Sequence, residues 1–202
     1  MRRLVFASLM LAAPALADDA QPITHKGQVG LSARVGIGFS GIAPYQKTTY
    51  CGQTDTTTST GYAAVCSERA PFAIDLEASY GVAPSIELTL GFTFGVEHDF
   101  GNAPGASGPV PLRLAPGARF FFSEAGRSKL FVQPQLVFDF TGYKDANGAN
   151  LGTDVGVGAL EGYWFEVRHA VGAYVFVGET IGVVRWLSGN FEGGIGIQGR
   201  YP

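Results

Sequence analysis

The stretch Ile86-Glu87-Leu88-Thr89-Leu90-Gly91-Phe92-Thr93-Phe94-Gly95-Val96-Glu97 alternates large apolar residues with small or polar ones at every step. Successive side chains of a β-strand point to opposite faces, so a strict period of two specifies a strand with one apolar and one polar face. The same pattern returns on both sides of this stretch. Upstream, Val29, Leu31, Ala33, Val35, Ile37 and Phe39 alternate with Gly30, Ser32, Arg34, Gly36 and Gly38, and Phe72, Ile74, Leu76, Ala78 and Tyr80 alternate with Ala73, Asp75, Glu77 and Ser79. Downstream, strands are expected over 110–122, 132–141 and 191–201 on the same grounds.

Two further strands, spanning roughly 153–167 and 170–183, are less regular. Their patterns slip near Leu160-Glu161 and Gly178-Glu179, where a β-bulge in each would restore the alternation. Pro116 and Pro134 fall inside strands, where a missing N–H weakens a ladder. The connections alternate between long segments, such as 40–70 and 98–109, and tight turns such as 81–85. Eight strands with long loops at one end and short turns at the other describe an antiparallel up-and-down barrel.

Alternation alone fits a soluble barrel with an apolar core as well as a membrane barrel with an apolar exterior. Three features favour the membrane. An eight-stranded barrel has an interior only just wide enough for side chains, too narrow for an apolar face carrying Phe92, Phe94, Phe120, Phe122, Phe138 and Phe140. The polar face is mostly Gly, Ser, Thr and isolated charges, whereas a water-facing surface is richer in Lys and Glu. Aromatics gather near strand ends (Phe39, Tyr80, Phe122, Tyr163, Trp164, Trp186, Phe191 and Tyr201), as in interfacial girdles.

The N-terminus fits export. Met1-Arg2-Arg3 is basic, Leu4 to Leu11 is nearly all apolar, and Ala15-Leu16-Ala17 is a small-x-small cleavage site. The apolar run is too short to span a bilayer core of about 30 Å as a helix. Residues 1–17 are expected to be a signal peptide and 18–202 the barrel. Cleavage removes Arg2 and Arg3 and no acid, taking the formal net charge from −3 to −5, which argues against nucleic acid as a partner. In an exported chain, Cys51 and Cys66 are expected to form a disulfide. It would close a loop of about 15 residues around the polar run Thr54 to Thr60 and stabilise it by about 3 kcal/mol.

With these features in place, the chain resembles the small outer-membrane barrels related to the OmpA transmembrane domain and to OmpX, over nearly all of residues 28–201. The terminal strand Gly194-Ile195-Gly196-Ile197-Gln198-Gly199-Arg200-Tyr201 looks like the signal read by the barrel-assembly machinery, departing from it at Gly199 and at the final Pro202. The resemblance implies the outer membrane of a Gram-negative bacterium, with its lipids and that machinery as partners and an extracellular ligand available to the loops.

The polar face brings Arg34, Asp75, Glu77, Glu87, Glu97, Arg113, Arg119, Asp139, Glu192 and Arg200 toward the lumen. Unpaired buried charges cost several kcal/mol each, so these are expected to pair into a plug; a proton or ion path is the sharper alternative. A lipid-modifying deacylase would need His and Ser two apart on one strand face, and His25, His98 and His169 do not offer this. His98-Asp99 is half of a base dyad at most. No metal cluster or phosphate loop stands out, so no catalytic residue, metal or cofactor is expected. The expected role is non-enzymatic, structural or surface-interacting through the loops. A narrow channel or transport barrel is the alternative, and a lipid A-modifying enzyme is less favoured.

Overall fold

A computed structural model describes residues 24–43, 65–99, 108–123, 126–144, 148–168 and 170–202. All regular structure among them is β: β1 (Val29–Ala43), β2 (Cys66–Arg69), β3 (Ala73–Ala83), β4 (Ile86–Gly95), β5 (Leu112–Phe121), β6 (Ser128–Asp139), β7 (Asp154–Arg168), β8 (Val171–Gly182) and β9 (Leu187–Tyr201). Sequential strands pair antiparallel from β3 to β9, and β9 returns to β1. The closing seam is long, running from Val29↔Tyr201 to Ala43↔Leu187. Closure leaves no unpaired edge, the condition for a sheet to cross a bilayer. β3 pairs with the first half of β1, and short β2 continues that position against Phe39–Ile42. Eight strands therefore close the barrel, and β2 extends its wall.

Parity follows the sequence pattern. Leu31, Ile37, Phe39, Leu76, Leu90, Phe94, Leu136 and Ile195 face outward and are exposed, while Ser32, Arg34, Asp75, Glu77, Glu87 and Thr89 are buried inside. Large apolar side chains all round the exterior belong against lipid, so this is a transmembrane barrel. The β3–β4, β5–β6 and β7–β8 turns and both strand termini share one end, here the turn end. The prolines are accommodated outward: Pro116 and Pro134 interrupt only the β5–β6 ladder, which keeps five register pairs.

The bulges expected near Leu160-Glu161 and Gly178-Glu179 are not present. β7 and β8 pair without interruption from Gly156↔Gly182 to Glu166↔Gly172, and the register shifts only between Glu166 and Arg168. Parity therefore holds, with Leu160 facing in and Glu161 and Glu179 facing out. Trp164 and Trp186 also depart from the expected girdle, being 0% and 4% exposed.

Leu160 and Trp164 belong to an inward cluster with Phe121, Phe131, Tyr174 and Phe176. A lumen this narrow holds them because glycines stand beside them on neighbouring strands. A Cβ on Gly172 would lie 1.8 Å from the Trp164 ring, one on Gly196 2.2 Å from Tyr174, and one on Gly178 2.6 Å from Leu160. Each bare backbone gives up the volume its neighbour fills.

Candidate functional site: a sealed lumen beneath a structured rim

Inside the barrel, opposite charges alternate in an unbroken series. Asp75 meets Arg34 at 3.3 Å, and Arg34 reaches Glu77 at 3.3 Å. Glu77 pairs with Arg119 at 2.5 Å, and Arg119 with Glu87 at 3.1 Å. Glu87 lies 3.5 Å from Arg200, which meets Glu166 at 3.0 Å. β3, β4 and β7 supply the acids and β1, β5 and β9 the arginines, so the series crosses the lumen repeatedly as it runs toward the turn end.

Uncharged partners add hydrogen bonds around Glu77 and Arg119, whereas Nη2 of Arg200 is buried with no hydrogen-bond partner among the described residues. Gln133 donates to Glu77 at 2.6 Å and accepts from Arg119 at 2.9 Å. Gln198 accepts from Arg119 at 3.1 Å and donates to Ser79 at 2.6 Å. The Arg119 guanidinium also sits 5.2–5.7 Å from the ring centres of Phe131, Trp164 and Tyr174. A buried charge is tolerated when its hydrogen-bonding capacity is met on all sides. Arg119 and Glu77 are fully enclosed.

Toward the loop end the packing loosens. A cavity of about 50 Å³ is lined by Arg34, Asp75, Thr93, Arg113, Gln135 and Glu192. That is room for a few waters, far from a pore. Glu192 borders it and makes no ion pair among the described residues. Arg113 pairs with Asp139 at 3.3 Å.

Of the ten residues expected in the lumen, Glu97 alone lies elsewhere. It follows the end of β4 at the rim, pairs with Arg69 at 2.6 Å and accepts the Phe72 N–H at 2.9 Å. The extended strand stops at Gly95, so the alternation no longer sets direction there. His98 and Asp99 do not act together: His98 contacts the Gly108 carbonyl at 2.8 Å, whereas Asp99 accepts from the Tyr143 hydroxyl. Tyr143 belongs to a knot at the rim, with Trp186 5.1 Å from its ring and the Arg185 guanidinium 4.5 Å away. Asp154 fixes the turn below by accepting from the Val184 and Arg185 amides at 2.8 and 3.0 Å. The described residues at this end thus form a structured rim. Cys51 lies outside the described residues, as do residues 1–17.

Sequence reasoning missed His25, Lys129 and Glu166 as lumen residues. Lys129 and Glu166 were available from parity, being two steps beyond Phe131 and Trp164 on the inward face. His25 precedes β1 and carries no strand signal. On the outer surface, Glu161 and Glu179 are the carboxylates facing outward among the described residues of the eight strands that close the barrel. They lie diagonally across β7–β8, beside the pairs Glu161↔Val177 and Ala159↔Glu179.

Fold and lumen together define a small eight-stranded transmembrane barrel whose interior is filled. No family model and no curated protein matches the chain. Among solved structures, it is similar to the N-terminal β-barrel domain of OprF from Pseudomonas aeruginosa, with a TM-score of 0.57 and 11% identity over 87% of this chain and 98% of that one. It is likewise similar to Neisserial surface protein A, with a TM-score of 0.57 and 14% identity over 87% of this chain and all of the other. At such identities the likeness concerns the fold.

Proposed function

We propose that the chain is a non-enzymatic barrel of a Gram-negative outer membrane that acts at the cell surface through its loops, with the barrel as a closed pedestal. The observation that carries this reading is the unbroken charge series from Asp75 to Glu166, packed against the aromatic cluster. Paired charges packed against aromatic rings among the described residues favour a closed barrel over a transport route and put function at the loop end. The rim knot of Tyr143, Arg185 and Trp186 supports the same reading, because it holds the bases of two loops in place. The apolar belt contacts membrane lipid. Residues 1–17 direct export, and the terminal strand ending in Tyr201 engages the assembly machinery. The Cys51–Cys66 bridge constrains the first long loop.

The experiment is an antibody raised against the oxidised peptide 51–66. It should label intact cells that express the chain. Labelling only after the outer membrane is breached would place this loop on the other side and end the reading.

A further inference from the structure

Residues 24–28 belong to no strand, yet they are fastened to the barrel at its turn end. The His25 N–H donates to the Pro84 carbonyl at 3.3 Å, the Gly27 N–H to Gly81 at 2.7 Å, and the Gly81 N–H back to Gln28 at 2.9 Å. Gly27 makes the required turn at φ +80°. A Cβ on Gly81 would lie 1.7 Å from the His25 carbonyl oxygen, so this approach needs glycine there. The turn carries the His25 ring into the mouth of the barrel, where it is fully buried. Its edge meets Phe121 at 4.2 Å.

The ring is held at both nitrogens. Nδ1 lies 2.6 Å from the Glu87 carboxylate, and Nε2 lies 3.2 Å from the Lys129 ammonium. Lys129 can only donate. Nε2 must therefore be an acceptor and Nδ1 the donor, which fixes His25 as the neutral Nδ1–H tautomer. The charges agree with that assignment. Glu87 already pairs with both Arg119 and Arg200, and a neutral His25 adds no further cation to that group. We propose that residues 24–28 are a pH-sensitive latch, closed over the turn end while His25 is neutral and released when it takes up a proton.

A proton on Nε2 would turn an N–H toward the Lys129 ammonium, removing one hydrogen bond and setting two cations about 3.2 Å apart. The groups around the ring are Glu87 from β4, Lys129 from β6 and Arg200 from β9. Behind them stand Arg119 from β5, Glu77 from β3, Glu166 from β7 and, stacked on Trp164, Tyr174 from β8. The favourable Glu87 contact is thus offset by three cations. Burial first, and then Arg200 and Lys129, hold the imidazole below its ordinary value against the pull of Glu87. The undocked segment titrates near 6.5 and the docked one lower. Docking is therefore at full strength above about pH 6.5 and weakens about ten-fold per unit as the pH falls from there to the docked value.

The test is amide hydrogen exchange at Gly27 and Gly81 in the purified barrel in lipid nanodiscs, from pH 8 to pH 5, corrected for intrinsic exchange. Protection should fall as the pH drops below about 6.5. In His25→Gln, whose amide can donate to Glu87 and accept from Lys129 without titrating, it should stay flat. Unchanged protection in the wild-type barrel, or a parallel fall in His25→Gln, would overturn the latch. Should His25→Gln not assemble, nitrogen NMR of the wild-type ring decides. A neutral Nδ1–H ring titrating below 6.5 supports the latch, and one titrating at or above 6.5 refutes it.

Discussion

Glu77 on β3 and Arg119 on β5 meet in the middle of the lumen, and solvent reaches neither side chain. The two strands flank β4 and are not paired with each other, so the contact is made through the lumen and ties β3 to β5 across β4. Removing one partner leaves the other charge buried and uncompensated, which typically costs about 3–5 kcal/mol. Arg119→Ala should destabilise the barrel by that amount, seen as a lower midpoint in urea unfolding from lipid vesicles. Arg69→Ala, which breaks an exposed pair at the rim, should shift the midpoint far less.

The glycines beside the aromatic cluster should resist substitution in a position-specific way. Gly172→Val places its side chain in the volume of the Trp164 ring, and overpacking of this kind costs about 1–3 kcal/mol. Gly199→Val points outward, where a Cβ meets no atom within 4 Å. The first should slow assembly, and the second should leave the heat-modifiable band shift on gels unchanged. Equal behaviour would contradict the inward packing of Trp164.

The outward carboxyls make a third test. A charge on the lipid face costs about 2–4 kcal/mol at the midplane for Arg or Lys and less for Glu. Glu161 sits at the centre of β7, with apolar Ala159 and Tyr163 on either side along the same face. Glu161→Leu and Glu179→Leu should each raise stability, by about 1 kcal/mol, and Leu90→Arg should lower it by about 2–4 kcal/mol. A loss of stability in both leucine variants would show that the two glutamates do not face lipid.

These same residues show where the sequence was legible. The alternation of Val29–Phe39, Ile74–Tyr80 and Ile86–Phe94 fixed strand positions and faces, because lipid outside and a narrow lumen inside impose a period of two on each strand separately. β7 and β8 were misread for a related reason. An outward glutamate and an inward leucine and tryptophan look like a slipped register when one strand is read alone. What accommodates Leu160 and Trp164 is Gly178 and Gly172 on the next strand, and a single-strand pattern carries no record of its neighbour. The lumen charges were visible by parity wherever a strand continued. Glu97 failed because β4 ends before it, and His25 escaped because its position comes from a turn docked by backbone hydrogen bonds.

The first long loop allows a fourth test. A membrane-impermeant maleimide applied to whole cells should label the chain only after reduction, through Cys51 and Cys66. Labelling without reductant would rule out the bridge.

Conductance is the decisive measurement of whether the lumen is sealed. The purified chain in a planar bilayer should show no stable, large current at neutral pH, because the series from Asp75 through Arg34, Glu77, Arg119, Glu87 and Arg200 to Glu166 fills the passage. Arg119→Ala, which removes the residue at the centre of that series, should admit water and produce small, unsteady openings. A steady porin-sized current from the unmodified protein would contradict the sealed lumen and return the barrel to a transport role.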